Sequence, residues 1–197
     1  MSDLLTRKVF VVNQKAKLVG LADEYRVRDE EGTDIGYIRE ESQPAPKKPA
    51  RRGTQADQVS CRLSLYDRAG TKVVELVRPR RIARSRAEIS DGDGRPLGRI
   101  VQQYVFGKTR FGLEGASGEL LGSISAENWG AWDFAIQDAT GAEVGRITKK
   151  WPGLLQAGFT PADNYVLEIG GQVSDDLRLM MVASAAGADV ALRQDGA

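Results

Sequence analysis

Residues 134–147 read FAIQDATGAEVGRI. An alternating stretch runs into Asp138, a turn closes on Gly141, and a second alternating stretch carries Gly145 and Ile147. Asp and Gly are the residues a tight turn demands, and alternation on both sides makes the unit a β-hairpin. The frame G-x-x-x-G-x-I recurs at Gly32/Gly36/Ile38, Gly94/Gly98/Ile100 and Gly118/Gly122/Ile124, and Gly70/Val74/Leu76 keeps its spacing. An aspartate stands three residues before the first glycine in four of the five copies (Asp29, Asp67, Asp91, Asp138), and Gly115 holds that place in the fifth. The copies span Tyr25–Ile38, Leu63–Leu76, Ala87–Ile100, Phe111–Ile124 and Phe134–Ile147, and their repetition predicts a barrel or sandwich.

Working outward, strands are expected at 8–13, 24–29, 34–40, 59–67, 72–78, 86–91, 97–104, 109–114, 119–126, 131–138, 143–149 and 163–169. About twelve short strands at regular spacing predict a closed or nearly closed antiparallel barrel. The 197 residues suit a single domain over 1–197. Residues 41–58, ESQPAPKKPARRGTQADQ, carry three prolines and no large apolar side chain, and read as a mobile loop: a solvated connection or a tether to anionic lipid.

After Ser174 the character changes. Ser174 is a helix N-cap, Asp175 and Asp176 suit a first turn, and the helix is expected over about 175–193. From Leu179 to Leu192 it is apolar on nearly every side, which requires burial in protein or lipid. The run is shorter than the roughly 20 residues a bilayer requires, and Asp189 interrupts it. Its small residues, Ala183 to Ala188, suit a helix threaded through the barrel, with no transmembrane span.

Composition excludes much chemistry. There is no histidine and one cysteine, which removes Ser-His and Cys-His catalysis and leaves no zinc site. Cys61 lies in the alternation Val59, Cys61, Leu63, Leu65 and reads as a core residue in a reducing compartment. No trio of side chains stands out as catalytic, so the chain reads as a non-enzyme. With 28 Lys+Arg against 27 Asp+Glu, any electrostatic partner has to be met by a local patch. The N-terminal run Val9–Val12 reads as a strand and not as a signal peptide.

Two basic patches qualify. Arg78, Arg80, Arg81, Arg84 and Arg86 lie within nine residues without an acid, and guanidinium forks match phosphate geometry. The alternative is a solvated strand whose arginines pair with Glu75 and Glu88. The second patch is Arg146, Lys149, Lys150 and Trp151, with Lys149 and Trp151 on the strand face opposite Arg146 and Lys150. Asp91-Gly92-Asp93-Gly94 opens like a calcium loop but continues with Arg95 and Pro96, and reads as a turn. Gly107-Lys108-Thr109 lacks the preceding glycine of a phosphate loop.

AWDFAIQDATGAEVGRITKKW (131–151), TPADNYVLEI (160–169) and the closing apolar helix resemble the phospholipid scramblase and LURP-one-related families, of the tubby C-terminal-like superfamily. KVFVVNQKAKLVGLADEYRVRD (8–29) is similar to the start of bacterial LURP-one-related proteins. The resemblance implies a twelve-stranded barrel around a C-terminal helix, and an anionic phospholipid or phosphoinositide partner for Arg78–Arg86, Lys149 and Lys150. The location it implies is cytoplasmic, peripheral at the inner face of the membrane. It also implies a calcium segment before the helix; the matching stretch here has Pro161 in place of an acid, then Asp163 and Asn164, with Glu168, Asp175 and Asp176 nearby. The eukaryotic proline-rich and palmitoylated cysteine segments are missing from the match. Phospholipid scrambling, a protein-partner scaffold and nucleic-acid binding are the alternatives. The last is disfavoured by the near-neutral charge and sparse aromatics among the bases.

Overall fold

The computed structural model of the chain describes residues 3–13, 23–42, 61–78, 86–105, 108–128, 132–149 and 164–188. Twelve strands follow in chain order: β1 Val9–Asn13, β2 Asp23–Arg28, β3 Asp34–Ser42, β4 Cys61–Asp67, β5 Lys72–Arg78 and β6 Arg86–Asp91. The second half contributes β7 Pro96–Val105, β8 Lys108–Gly115, β9 Leu120–Asn128, β10 Asp133–Asp138, β11 Glu143–Thr148 and β12 Asn164–Ile169. Each pairs antiparallel with its neighbours in sequence, and β1 pairs with β12 to close the barrel. Closure leaves no strand edge open.

The five repeats are the hairpins β2–β3, β4–β5, β6–β7, β8–β9 and β10–β11, and their turns share one geometry. In the last, Asp138 N–H donates to Ala142 O at 2.9 Å and Gly141 N–H donates to Asp138 O at 3.0 Å. The Asp138 carboxylate accepts from the N–H groups of Thr140 and Ala142 at 2.8 and 3.1 Å. Gly141 sits at φ 88° and the corresponding glycines 32, 70, 94 and 118 at 80–89°, a conformation that side chains other than glycine rarely adopt. The second glycine of the frame has another task. A Cβ at Gly122 would meet Gln137 O of the next strand at 2.5 Å, and one at Gly145 would meet Glu168 O at 2.6 Å. It marks where neighbouring backbones approach closely, beside a shift in register.

Inward-facing residues are apolar: Ile38, Leu65, Leu76, Ile100, Leu113, Ile124 and Ile136 are all essentially inaccessible. Through them runs helix α1, Asp175–Ala186, touching β1, β4–β8 and β12. Ser174 Oγ accepts from Leu177 N–H, and Asp175 and Asp176 lie in the first turn. Met180 and Met181 are fully buried, and Ala183 and Ala185 nearly so. The buried hydroxyl of Ser184 is satisfied by donating to Met180 O at 2.7 Å. A helix about 10–12 Å across fills the space that a twelve-strand barrel would otherwise leave empty.

Two boundaries differ from the sequence reading. α1 is capped at Gly187, whose N–H bonds to Ala183 O, and position 193 lies outside the described residues. Glu41 and Ser42 belong to β3, because the ladder with β4 continues through Glu41↔Arg62 and Ser42↔Cys61, so the loop expected from 41 begins no earlier than 43. Residues 43–58 lie outside the described residues.

Candidate functional site

An up-and-down barrel sends its connections alternately to the two ends. The five tight turns (29–33, 67–71, 91–95, 115–119, 138–142) therefore gather at one rim. The strand ends bordering 14–22, 43–60, 79–85, 106–107, 129–131 and 150–163 lie at the other, called here the connector rim. α1 enters at the turn rim and leads toward the connector rim.

This parity sorts the charges of a near-neutral chain. The six connectors hold ten Lys or Arg against two acids, Asp57 and Asp163. The five turns hold eight acids against two bases, Arg68 and Arg95. Strands of about 3.3 Å per residue keep the rims some 20 Å apart. The ten connector bases lie outside the described residues, and the described strand ends at the connector rim carry Glu24, Glu40 and Asp133 beside Arg78, Arg86 and Lys149.

Hydrogen bonds hold two of the turn-rim aspartates in place and favour their charged form. Partial burial pushes the Asp91 carboxyl up, but hydrogen bonds from the Arg95 backbone and side chain and from Asp93 N–H outweigh it and leave it below its ordinary value. The Thr140 hydroxyl, with backbone N–H groups, lowers that of Asp138. Arg95 also joins Asp91 to Asp176 of α1, at 2.9 and 3.0 Å. The 3₁₀ turn Asp3–Thr6 seals the same end: Leu4 is buried, Arg7 approaches buried Asp29 at 3.6 Å, and Arg178 donates to Arg7 O.

On the outer wall several bases are paired with acids, whereas Arg110, among the described residues, meets only Ser123 and Gln137 and leaves its buried Nε without a partner. Arg39 and Glu24 face each other across β2–β3 at 2.6 Å, Arg99 and Glu114 across β7–β8 at 2.7 Å, and Arg146 meets Asp133 at 2.8 Å. A groove of about 600 Å³ on this wall, bounded by Arg62, Glu75, Glu88 and Arg99, is likewise charge-balanced. The charged outer wall and apolar interior are the reverse of a lipid-facing barrel. Among the described residues no helix is long and apolar enough to cross a membrane.

The candidate residues divide as follows. Arg78 ends β5 and Arg86 begins β6, both at the connector rim, flanking 79–85. Arg86 pairs with Glu88 at 3.4 Å, as the solvated-strand alternative expects, whereas Glu75 is engaged by Arg62 and Lys72. Lys149 follows β11, five strands round the barrel from β6, and so lies across the mouth from the arginines. Its ammonium sits 4.8 Å from the centre of the Trp132 ring and 4.5 Å from that of Tyr165. Arg80, Arg81, Arg84, Lys150 and Trp151 lie outside the described residues.

The calcium candidates do not converge. Asp163, outside the described residues, precedes β12 at the connector rim, whereas Asp175 and Asp176 open α1 at the turn rim. Glu168 stands in β12 opposite Arg146 and Val9. No group of three metal-ligating side chains occurs among the described residues.

Cys61, also at the connector rim, is half-buried against the core. Burial first, then the charge and hydrogen bond of Glu40, push its thiol up to about 12, with Arg78 opposing. It is a thiol, not a thiolate nucleophile. The sequence reading missed the aromatic setting of Lys149, which requires knowing the order β10–β11–β12.

A family model described as Scramblase matches residues 3–192. A phospholipid scramblase family protein of Schizosaccharomyces pombe is 22% identical over 96% of this chain and 55% of its own length. Human phospholipid scramblase 1 is 26% identical over 62% of this chain and 42% of its own. Human phospholipid scramblase family member 5 is 24% identical over 89% and 70%. The chain thus spans about half the length of the first two of these curated relatives. No solved structure matches it.

Proposed function

The chain belongs to the scramblase family, and from that premise we propose that it is a non-enzymatic, peripheral binder of anionic phospholipid headgroups that docks by its connector rim. What supports the reading is the charge order along the sequence: the segments joining the hairpins hold ten bases and two acids, whereas the five tight turns hold eight acids and two bases. Near an anionic leaflet each Lys or Arg contributes about 1 kcal/mol, and the attraction decays within a Debye length of about 8–10 Å. The basic rim is thereby drawn to the surface, while the acidic rim, some 20 Å away, is left outside the field. Arg80, Arg81 and Arg84, with Arg78, Arg86, Lys149 and Lys150, are the headgroup contacts, and 43–58 is an auxiliary tether. The setting this requires is the cytoplasmic face of a membrane.

Co-sedimentation with vesicles of phosphatidylcholine alone and with added phosphatidylserine, at low and moderate salt, tests it. Binding confined to the anionic vesicles and weakened by salt supports the reading; equal binding to both, or to neither, refutes it. Scrambling is the second reading, favoured by the names of the relatives. It requires that vesicles containing the protein equilibrate a labelled lipid between leaflets faster than empty ones.

A further inference from the structure

The surroundings of Lys149 differ from those of the other cation stacked on aromatic rings. On the outer wall, Arg39 lies 5.5 Å from both rings of the stacked pair Tyr37 and Tyr66, and Glu24 accepts two hydrogen bonds from it. That contact is a closed structural unit. Lys149 has only aromatic faces: among the described residues no carboxylate pairs with its ammonium. The two rings meet at 55° with centroids 5.2 Å apart, forming a corner, and Phe134 backs Trp132 edge-on at 5.8 Å.

The corner is built at a cost. Trp132 is the only non-glycine among the described residues with positive φ, at 51°, and strain of this kind on a bulky residue persists where the surroundings impose it. Tyr165 is rigidly set, 1% exposed in β12, whereas Lys149 and Trp132 are only half-buried. The three residues come from the connector-rim ends of β10, β11 and β12, so the corner lies at the barrel mouth.

We propose that the Trp132–Tyr165 corner is a binding site for a quaternary ammonium group of the choline type, occupied by the Lys149 ammonium when no ligand is present. Two aromatic faces about 5 Å from one cation are the recognition chemistry of trimethylammonium groups. A primary ammonium is compact and strongly hydrated, so it gains less from such a corner than a trimethylammonium group, whose methyls bury apolar surface. The lysine stem has four flexible carbons and can withdraw to water, so it acts as an internal competitor. The site is separate from the arginine connectors and stands whether or not these bind anionic lipid.

The test is a titration of choline chloride into the full chain, against sodium chloride at equal ionic strength, reading the Trp132 indole resonance by NMR. Choline-specific, saturable shifts are expected. Lys149→Gln removes the competitor; if the corner is free about one-tenth of the time, affinity rises about tenfold. Trp132→Leu loses the shift elsewhere in the corner, and Tyr165→Phe, which keeps the ring, retains it; unfolding curves show whether each variant folds. No choline-specific shift in either the parent chain or Lys149→Gln overturns the proposal, as does binding that Lys149→Gln weakens. Phosphatidylcholine vesicles, offered to the Lys149→Gln variant in parallel, distinguish a lipid-borne from a soluble ligand.

Discussion

At Gly145 the wall approaches the central helix closely, and the substitution Gly145→Ala tests the threaded architecture. The added Cβ would overlap the Met181 methyl and stand 2.6 Å from Glu168 O. The methyl is the flexible end of a side chain, but the carbonyl is strand backbone and has to move by several tenths of an ångström. Overpacking of this kind costs about 1–3 kcal/mol, or roughly 2–12 °C in Tm for a chain of this size. Met181→Ala, at a fully buried position, costs about 2–5 kcal/mol by itself. Because Met181→Ala vacates the space that the Cβ added at position 145 needs, the double variant is less destabilised than the sum of the singles by about 1 kcal/mol. Urea unfolding of the four proteins of the cycle measures this, with Gly170→Ala, whose Cβ would have no neighbour closer than Val144 O at 3.9 Å, as the neutral control. Additivity within about 0.5 kcal/mol would show that Met181 does not press on β11 and would refute the packing.

Three further outcomes are expected. Replacing Arg80, Arg81 and Arg84 by Ala removes about 3 kcal/mol of attraction to an anionic surface, weakening vesicle affinity roughly a hundredfold with Tm unchanged; an unchanged affinity in the sedimentation assay counts against these contacts. The Cys61 thiol titrates near 12 when folded and lower when unfolded, so its contribution to stability is complete below the unfolded pKa and is lost as pH rises through the folded one. Between pH 9 and 11 the parent chain therefore loses more stability than Cys61→Ala, and parallel denaturation curves would contradict this. Native Cys61 is also alkylated more slowly at pH 8 than in the unfolded chain, as a time course with iodoacetamide shows.

The barrel was legible because its information is local. Each hairpin carries its own glycine turn, preceded in four of the five by aspartate, and its own alternation, and all twelve strands lie within a few residues of where these signals put them. The helix was legible because a segment apolar on every side has few places to go, and its small residues indicated a tight cylinder. Its end was not: Leu192 continues the apolar run, but the backbone leaves helical geometry at Gly187, with φ −102° and ψ 20°. The role of the second glycine was visible only as spacing, since the carbonyl that excludes its side chain belongs to the adjacent strand, as far as 30 residues away for Gly36 and Tyr66.

Site residues were harder. Arg86 had two readings in a run of like charge, headgroup contact or partner of a nearby acid, and it meets Glu88 two residues along the same strand. Lys149 was assigned to a face opposite Arg146, which agrees with its inward position, but its ring partners lie 17 residues before it and 16 after. Nothing in the sequence near Lys149 marks that convergence, which depends on the order β10–β11–β12.

The docking of the connector rim is tested most directly by asking which end of the barrel meets the membrane. In a Cys61→Ala background, a polarity-sensitive fluorophore is attached either at Ser42→Cys, on the connector-rim end of β3, or at Ala139→Cys, in the turn 138–142. On adding phosphatidylserine vesicles at low salt, the emission of the first shifts to the blue and that of the second stays as in water. A blue shift at position 139 without one at 42 would place the acidic rim on the membrane and contradict the account.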